Sequence, residues 1–283
     1  MIELPYKRII SYGCSITAGS ELIDHELLNL SEEDLFAHVK KQNIRGPRDL
    51  FESLNASPKT IENIRVRNAT KSWPNFIAKR FNKPMHNRAM AGTSLSDATY
   101  RILSDIHNSK INDDDLILVG VTSPLRWFQF FETGDFGGGI FGSKFTGSVW
   151  ELKFSNEFKT QIEHHWVNAY NIVYTHFKEL MVLSALSDRL GGRLKLCYVF
   201  GKDTFVSYTF SEELKKKNFS KFFDMCVSTM PTHNEINPTA LTVLSGSPTT
   251  DVENHHVFGH PRIEYHEQYA NLVIEKLEQM YSD

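Results

Sequence analysis

The sequence has few cysteines, no basic excess and no long apolar run, and each of these absences excludes a class of protein. Its three cysteines, Cys14, Cys197 and Cys226, are too few for a disulfide framework, so we expect reduced thiols. A net charge of −3 at pH 7 gives no support for nucleic-acid binding, which favours a basic excess. There is no run of about 18 apolar residues that would span a membrane. Residues 1–7 also lack the basic-then-apolar pattern of a secretory signal, so we expect a cytoplasmic protein.

The composition that remains is that of a globular protein with one unusual aromatic segment. With 283 residues, 41% of them hydrophobic and 23% charged, the chain is long enough for a sizeable core, and we expect a single domain over 1–283. Residues 127–150 interleave aromatic side chains with glycines, which predicts an irregular flap or a hairpin. This segment would either wall a substrate groove, contact a protein partner, or simply form a small core of its own.

Apolar periodicity predicts alternating strands and helices. Strands are expected at 7–12, 84–90, 115–121 and 194–200, and helices at 72–81, 93–106, 157–190, 211–223 and 262–281. Two insertions interrupt this pattern: a polar one at 21–70 with one short helix near 32–41, and a second at 124–156. Residues 228–261 read as a long loop. The alternation predicts an α/β fold with a parallel sheet covered on both faces.

The first strand runs directly into Gly13-Cys14-Ser15. A serine on a tight turn at the carboxyl edge of a parallel sheet lies where such sheets bind ligands. It is therefore a candidate nucleophile, provided that a base lies within reach. The competing interpretation is a turn serine that bonds to nearby backbone amides.

Three further blocks follow in a fixed order along the chain. Asn87 to Ser94 follows the second strand, Gly120-Val121-Thr122-Ser123 follows the third, and His260-Pro261 precedes the last helix. This order resembles the SGNH (GDSL-type) hydrolase superfamily. The resemblance implies a three-layer α/β/α sandwich with a flavodoxin-like central parallel sheet. It also implies hydrolysis of an ester of a small molecule, glycan or lipid, without a metal or cofactor.

The resemblance assigns roles to particular residues. Ser15 matches the family's nucleophile, and His260 matches the base. Gly92 matches the glycine whose backbone N–H helps to hold the oxyanion, and Asn87 belongs to the same block, where we expect it to contact substrate. Thr122 stands where the family has an asparagine that donates to the oxyanion, and a threonine hydroxyl can still donate one hydrogen bond.

Two other positions depart from the family pattern. Cys14 replaces the aspartate of Gly-Asp-Ser, and we interpret it as a small buried thiol rather than a nucleophile. Val257 stands where the family has the aspartate that orients the histidine. Asp251 and Glu253, upstream in the same segment, are the candidate replacements. A serine–histidine dyad with a backbone carbonyl as the orienting acceptor is the alternative.

The remaining hypotheses concern substrate, metal and origin. Arg126 and Trp127 follow the third block and are expected to contact substrate, with simple packing as the alternative. His255 and His256 beside His260 suggest a metal site, which we disfavour because no second ligand set stands at suitable spacing. The opening segment looks most like a phage and bacterial branch of the family, which would make the protein virion-associated or released by lysis. A competing hypothesis for the whole chain is an inactive binding or structural module on the same fold.

Overall fold

The structure is a computed structural model that describes residues 2–19, 26–44, 47–90, 93–121, 126–130, 136–140, 169–199, 235–236 and 263–282. Its strands are β1 (Arg8–Tyr12), β2 (Met85–Asn87), β3 (Asp115–Val121), β4 (Arg126–Phe130), β5 (Phe136–Ile140), β6 (Leu194–Tyr198) and β7 (Glu235–Ile236). Its helices are α1 (Ser15–Ala18), α2 (Glu32–Gln42), α3 (Pro47–Ser53), α4 (Pro58–Thr70), α5 (Trp73–Arg80), α6 (Leu95–His107), α7 (Ala169–Arg189) and α8 (Ile263–Met280).

The central sheet has the order β2-β1-β3-β6-β7, and each neighbouring pair is parallel. The chain goes from β1 outward to β2 on one side and then to β3 on the other. The strand order therefore reverses between β1 and β3, and open parallel sheets bind their ligands in the crevice at this switch point. The predicted fold class, a flavodoxin-like α/β/α sandwich, is confirmed.

Side chains of alternate strand residues build one core on each face of the sheet. Ile9 and Leu116 lie on the face covered by α5 and α8, where Trp73 and Tyr269 are also buried. Ile10 and its neighbours lie on the face covered by α6 and α7. Because β1 and β3 are covered on both faces, β3 reads as an unbroken apolar run in the sequence.

The first insertion is more ordered than the sequence predicts. The expected helix near 32–41 is α2, and its N-cap Ser31 accepts a hydrogen bond from the Asp34 N–H at 3.0 Å. The expectation of a single helix is wrong, because α3 and α4 follow in the same segment. The three helices share a core of their own, made of Leu35, Val39, Leu50, Phe51 and Ile64. That core is small, and much of the surface around it is polar, so the composition concealed it.

Later elements also differ in part from the predictions. The strand β7 lies within residues 228–261, which were predicted to be loop, and it pairs with β6 through Ile236 and Cys197. The expected helix at 157–190 is described from Ala169 to Arg189 as α7, and residues 157–168 lie outside the described residues. The helix ends close to the predicted position, and Gly191 follows with a φ of +66°. Strands β4 and β5 pair as an antiparallel hairpin, one of the two predicted forms of this segment. The helix predicted at 211–223 lies outside the described residues.

In the described ranges, no helix is both long and apolar enough to cross a membrane.

A buried carboxylate links the sheet to α6. Asp105 is 3% exposed and accepts hydrogen bonds from the Tyr12 hydroxyl at 2.8 Å and from Arg88 Nε and Nη2, each at 3.0 Å. Burial raises the pKa of Asp105, but the hydrogen bonds from Tyr12 and Arg88 outweigh it, so the pKa lies below its usual range. The ionised form is therefore the one that the fold stabilises.

Asp105→Asn is expected to lower the free energy of unfolding by about 2 kcal/mol at pH 7, because a charge-assisted network loses its anion. A carboxyl with a lowered folded-state pKa contributes stability above the unfolded pKa of about 4, and this contribution disappears as the pH falls through the folded-state value. Urea unfolding at pH 7 and at pH 3 should therefore show a gap between wild type and variant that is smaller at pH 3. Asp113→Asn is the control, since the Asp113 side chain is solvent-exposed and its ion pair with Arg193 is therefore weak. A gap of equal size at both pH values would contradict this account.

Candidate active site

The turn after β1 has the backbone that the sequence predicts. Gly13 has a φ of +145°, a conformation that favours glycine, and Ser15 is the first residue of α1. The Ala18 N–H donates to the Cys14 carbonyl at 2.9 Å, which closes the single helical turn. Cys14 is fully buried, as expected for a small apolar thiol. The Ser15 backbone thus lies at the carboxyl end of β1, beside the switch point of the sheet.

Asn87, at the end of β2, holds this turn in place. Its Oδ1 accepts from the Ser11 hydroxyl at 3.0 Å and from the Ala89 N–H at 3.1 Å. Its Nδ2 donates to the Thr17 carbonyl at 3.1 Å and to Ser72 Oγ at 3.3 Å. Both hydrogens and both lone pairs of the amide are engaged within the protein, which gives Asn87 a positioning role. Its predicted contact with substrate stays a prediction.

The segment after β2 also forms hydrogen bonds with Gly13. The Met90 N–H donates to the Gly13 carbonyl at 3.0 Å, and the Thr93 hydroxyl approaches the same oxygen at 2.8 Å. Ser94 then caps α6 by accepting from the Asp97 N–H at 3.1 Å. These contacts hold both flanks of the block that contains Gly92 against the β1 turn.

Ser72 is the N-cap residue of α5, but its side chain makes no capping hydrogen bond to that helix. Its hydroxyl instead donates to the Ala69 carbonyl at 2.9 Å and accepts from Asn87 Nδ2. The first N–H of the helix, on Trp73, donates to Nδ1 of His266 at 3.2 Å. That nitrogen must therefore be unprotonated in this contact.

His266 also shows where the last helix begins relative to the site. It is 3% exposed and lies in the first turns of α8, which starts three residues after His260. Its bond to Trp73 fixes the start of α8 beside the start of α5, next to the Ser72–Asn87 contact. The first turns of α8 therefore lie beside the start of α5.

Several residues of the predicted site, and the three histidines of the disfavoured metal site, lie outside the described residues: Gly92, Thr122, Asp251, Glu253, His255, His256 and His260. For Ser15, Arg126 and Trp127 the structure describes the backbone. In β4, Arg126 pairs with Ile140 and Trp127 pairs with Gly139 of β5. The catalytic and substrate-binding roles assigned to these residues stay predictions.

Within the described part of the chain, no cluster of His, Cys, Asp and Glu side chains could hold a metal ion.

Sequence analysis missed four residues that shape the site: Thr17, Ser72, Thr93 and His266. Thr17 and Thr93 carried one signal, because Thr93 lies within the block that follows β2 and Thr17 comes just after Gly13-Cys14-Ser15. The contacts of Ser72 with Asn87 and of His266 with Trp73 carried none, since they join segments that are distant in the chain. Their roles become visible only when α5, α8 and the β1 turn are placed together.

The comparisons with known proteins give distant structural likeness. No family model matches the chain, and no curated protein matches its sequence. One similar solved structure is a carbohydrate esterase, reported to have an active site with divergent catalytic and non-catalytic binding functions. It is 14% identical with a TM-score of 0.45, and the match covers 97% of this chain and 69% of that one. Another is described as a GDSL-like lipase from Parabacteroides merdae, 12% identical with a TM-score of 0.40, and the match covers 99% and 98% of the two chains.

Likeness at this level concerns the fold and assigns no residue role or substrate. The order of the strands in this chain's own sheet is what agrees with the SGNH-type architecture that the sequence predicts.

Proposed function

We propose that the protein is a serine-dependent carboxylic ester hydrolase, with Ser15 as nucleophile and His260 as general base. The observation that carries the proposal is the turn at the β1/β3 switch point. Gly13 adopts a positive φ there, and its carbonyl accepts from the Met90 N–H and the Thr93 hydroxyl in the block that follows β2. This places Ser15 at the edge where the fold binds ligands, on a backbone that is fixed before substrate arrives.

The chemistry is acyl transfer in two steps. The Ser15 oxygen attacks the ester carbonyl carbon while His260 takes the hydroxyl proton, and the carbonyl π electrons move to oxygen. When the tetrahedral intermediate collapses, the bond to the alkoxy oxygen breaks, and His260 gives its proton to the leaving alcohol. A water molecule then attacks the acyl-serine by the same route, which releases the acid and restores Ser15.

The oxyanion of each intermediate needs donors that are in place beforehand. The backbone N–H groups of Ser15 and Gly92 and the hydroxyl of Thr122 are the proposed donors. Loss of one such donor costs about 100- to 1000-fold in rate in serine hydrolases, so a threonine in place of the usual asparagine bears directly on activity. The bonds to Gly13 from Met90 and Thr93 support this role, because they tie the flanks of Gly92 to the nucleophile turn.

The proposed substrate is an ester of a small molecule, glycan or lipid. Arg126 and Trp127 are the proposed substrate contacts, since β4, which pairs with β5 in a separate sheet, begins shortly after the end of β3 in the chain. The mechanism above requires no metal or organic cofactor, because the serine, the histidine and the oxyanion donors complete both steps.

Treatment of the native protein with a fluorophosphonate, followed by peptide mass spectrometry, tests the proposal. The probe phosphonylates activated serines, so we expect one adduct, on Ser15, in native protein and none after heat unfolding. Loss of the adduct in the His260→Gln variant would show that the reactivity of Ser15 depends on the proposed base. An unlabelled native protein would favour the binding-module hypothesis, and an adduct on another serine would show that Ser15 is not the nucleophile.

A further inference from the structure

Thr17 carries a buried hydroxyl whose position needs an explanation. The residue is 0% exposed, and among the described residues its Oγ1 has no hydrogen-bond partner. Leaving a buried hydroxyl unpaired costs about 1–3 kcal/mol. Threonine at this position therefore lowers the stability of the fold unless the shape of its side chain compensates.

The shape of Thr17 matches a space between the ends of β1 and β3. A Cβ added to Gly120 would lie 2.0 Å from Thr17 Oγ1 and 3.2 Å from Thr17 Cβ. A Cβ added to Gly13 would lie 2.6 Å and 3.0 Å from the same two atoms. The threonine side chain thus fills the volume that two glycines leave open. Gly120 has no positive φ, so close approach alone requires glycine at that position.

The backbone of Thr17 is fixed as well. Its carbonyl accepts from Asn87 Nδ2 at 3.1 Å, which anchors the residue to β2. Thr17 therefore joins the three strand ends around the switch point: β2 through its carbonyl, and β1 and β3 through its side chain. It stands two residues after Ser15 in the single turn of α1.

We propose that Thr17 is a positioning residue for Ser15, acting as a wedge that sets the distance of the α1 turn from β3. The proposal rests on the hydrolase function proposed above, in which the Ser15 backbone and the β3 terminus with Thr122 face the same oxyanion. A side chain of a different size at position 17 would shift the Ser15 backbone relative to the end of β3. Misplacement of reacting groups by about 1 Å can cost about 100-fold in rate. Because the hydroxyl has no partner among the described residues, we assign the role to the shape of the side chain.

A size-exchange experiment separates shape from hydrogen bonding. The variants are Thr17→Val, which keeps the shape, Thr17→Ala, which removes the wedge, Gly120→Ala, which collides with it, and the double variant Thr17→Ala/Gly120→Ala. Thr99→Ala is the matched control, since Thr99 is also buried but lies on α6, where its hydroxyl donates to the Leu95 carbonyl at 3.0 Å.

Two readouts apply to every variant. The first is the rate of fluorophosphonate labelling of Ser15, corrected for the folded fraction. The second is amide hydrogen exchange of the peptide covering 13–19, where the Ala18 and Gly19 N–H groups are hydrogen-bonded in the native turn. A purely structural role would lower stability without changing the labelling rate of the folded fraction.

We expect Thr17→Val to label within about twofold of wild type, and Thr17→Ala and Gly120→Ala to label about tenfold more slowly or worse, each with faster exchange over 13–19. The double variant should recover much of what Gly120→Ala loses, and Thr99→Ala should label normally. The proposal is overturned if Thr17→Val is as slow as Thr17→Ala, if the double variant shows no recovery, or if Thr99→Ala slows labelling equally. If wild type is not labelled at all, the proposed function fails, and the exchange pattern across the same variants alone decides whether Thr17 is the wedge.

Discussion

Ser15→Ala is expected to abolish hydrolysis of a short-chain nitrophenyl ester, with a loss of at least about 10⁴-fold, and to leave the melting temperature nearly unchanged. Removal of the nucleophile from a serine hydrolase eliminates covalent catalysis, and only binding and oxyanion stabilisation remain. Alanine keeps the Cβ of serine, and the backbone bonds that close α1 do not use the Ser15 hydroxyl. Initial rates together with thermal unfolding curves measure both effects.

Ser184→Ala is a suitable control for the Ser15 variant. Ser184 lies on α7, and its buried hydroxyl has no partner among the described residues, so its loss should leave activity intact. Undiminished hydrolysis by Ser15→Ala would show that another group is the nucleophile. Hydrolysis that falls in proportion to a drop in melting temperature would show that the substitution acts through folding.

Removal of the acceptor that orients His260 is expected to have the second large effect on hydrolysis. If Asp251 or Glu253 orients the imidazole, then Asp251→Asn or Glu253→Gln should lower kcat by up to about 10⁴-fold without unfolding the protein. The imidazole N–H that faces away from Ser15 needs an acceptor, and an amide in that place favours the wrong tautomer. Val257 cannot accept a hydrogen bond, so the function must be supplied from elsewhere. Kinetics of the two single variants, with His260→Gln as the inactive reference, measure the effect.

His256→Gln is the control for the acid variants, because it changes a neighbouring histidine that has no proposed catalytic role. It should hydrolyse the ester like wild type. Full activity in both Asp251→Asn and Glu253→Gln would overturn the carboxylate hypothesis. A Ser15–His260 dyad oriented by a backbone carbonyl would then be the better account.

Local patterns predicted much of the sheet and its covering helices. The apolar run Asp115–Val121 is β3, and Ser94 caps α6 as its spacing to Asp97 indicates. The glycine before Cys14 takes the positive φ that a tight turn after β1 requires. Each of these features depends on residues a few positions apart, so the sequence displays them directly.

Other features depended on contacts that no local pattern encodes. The insertion helices α3 and α4 escaped prediction because their few buried residues are scattered among polar ones. The strand β7 is two residues long and exists only through its pairing with β6. Ser72 occupies a cap position, yet its hydroxyl bonds to the nearby Ala69 carbonyl and, through a tertiary contact, to Asn87, and not to the helix N–H groups.

The sequence by itself determined the α/β class, the turn at Gly13 and the order of the blocks on which the resemblance rests, because residue spacing encodes strands, caps and turns locally. Only the tertiary structure decided what Asn87 and Thr17 do. The side-chain amide of Asn87 is fully engaged in hydrogen bonds with Ser11, Thr17, Ser72 and Ala89. Thr17 fills a space that exists only where the ends of β1 and β3 meet, and Gly120 must be glycine because the side chain of a residue far away in the chain already occupies the position of its Cβ.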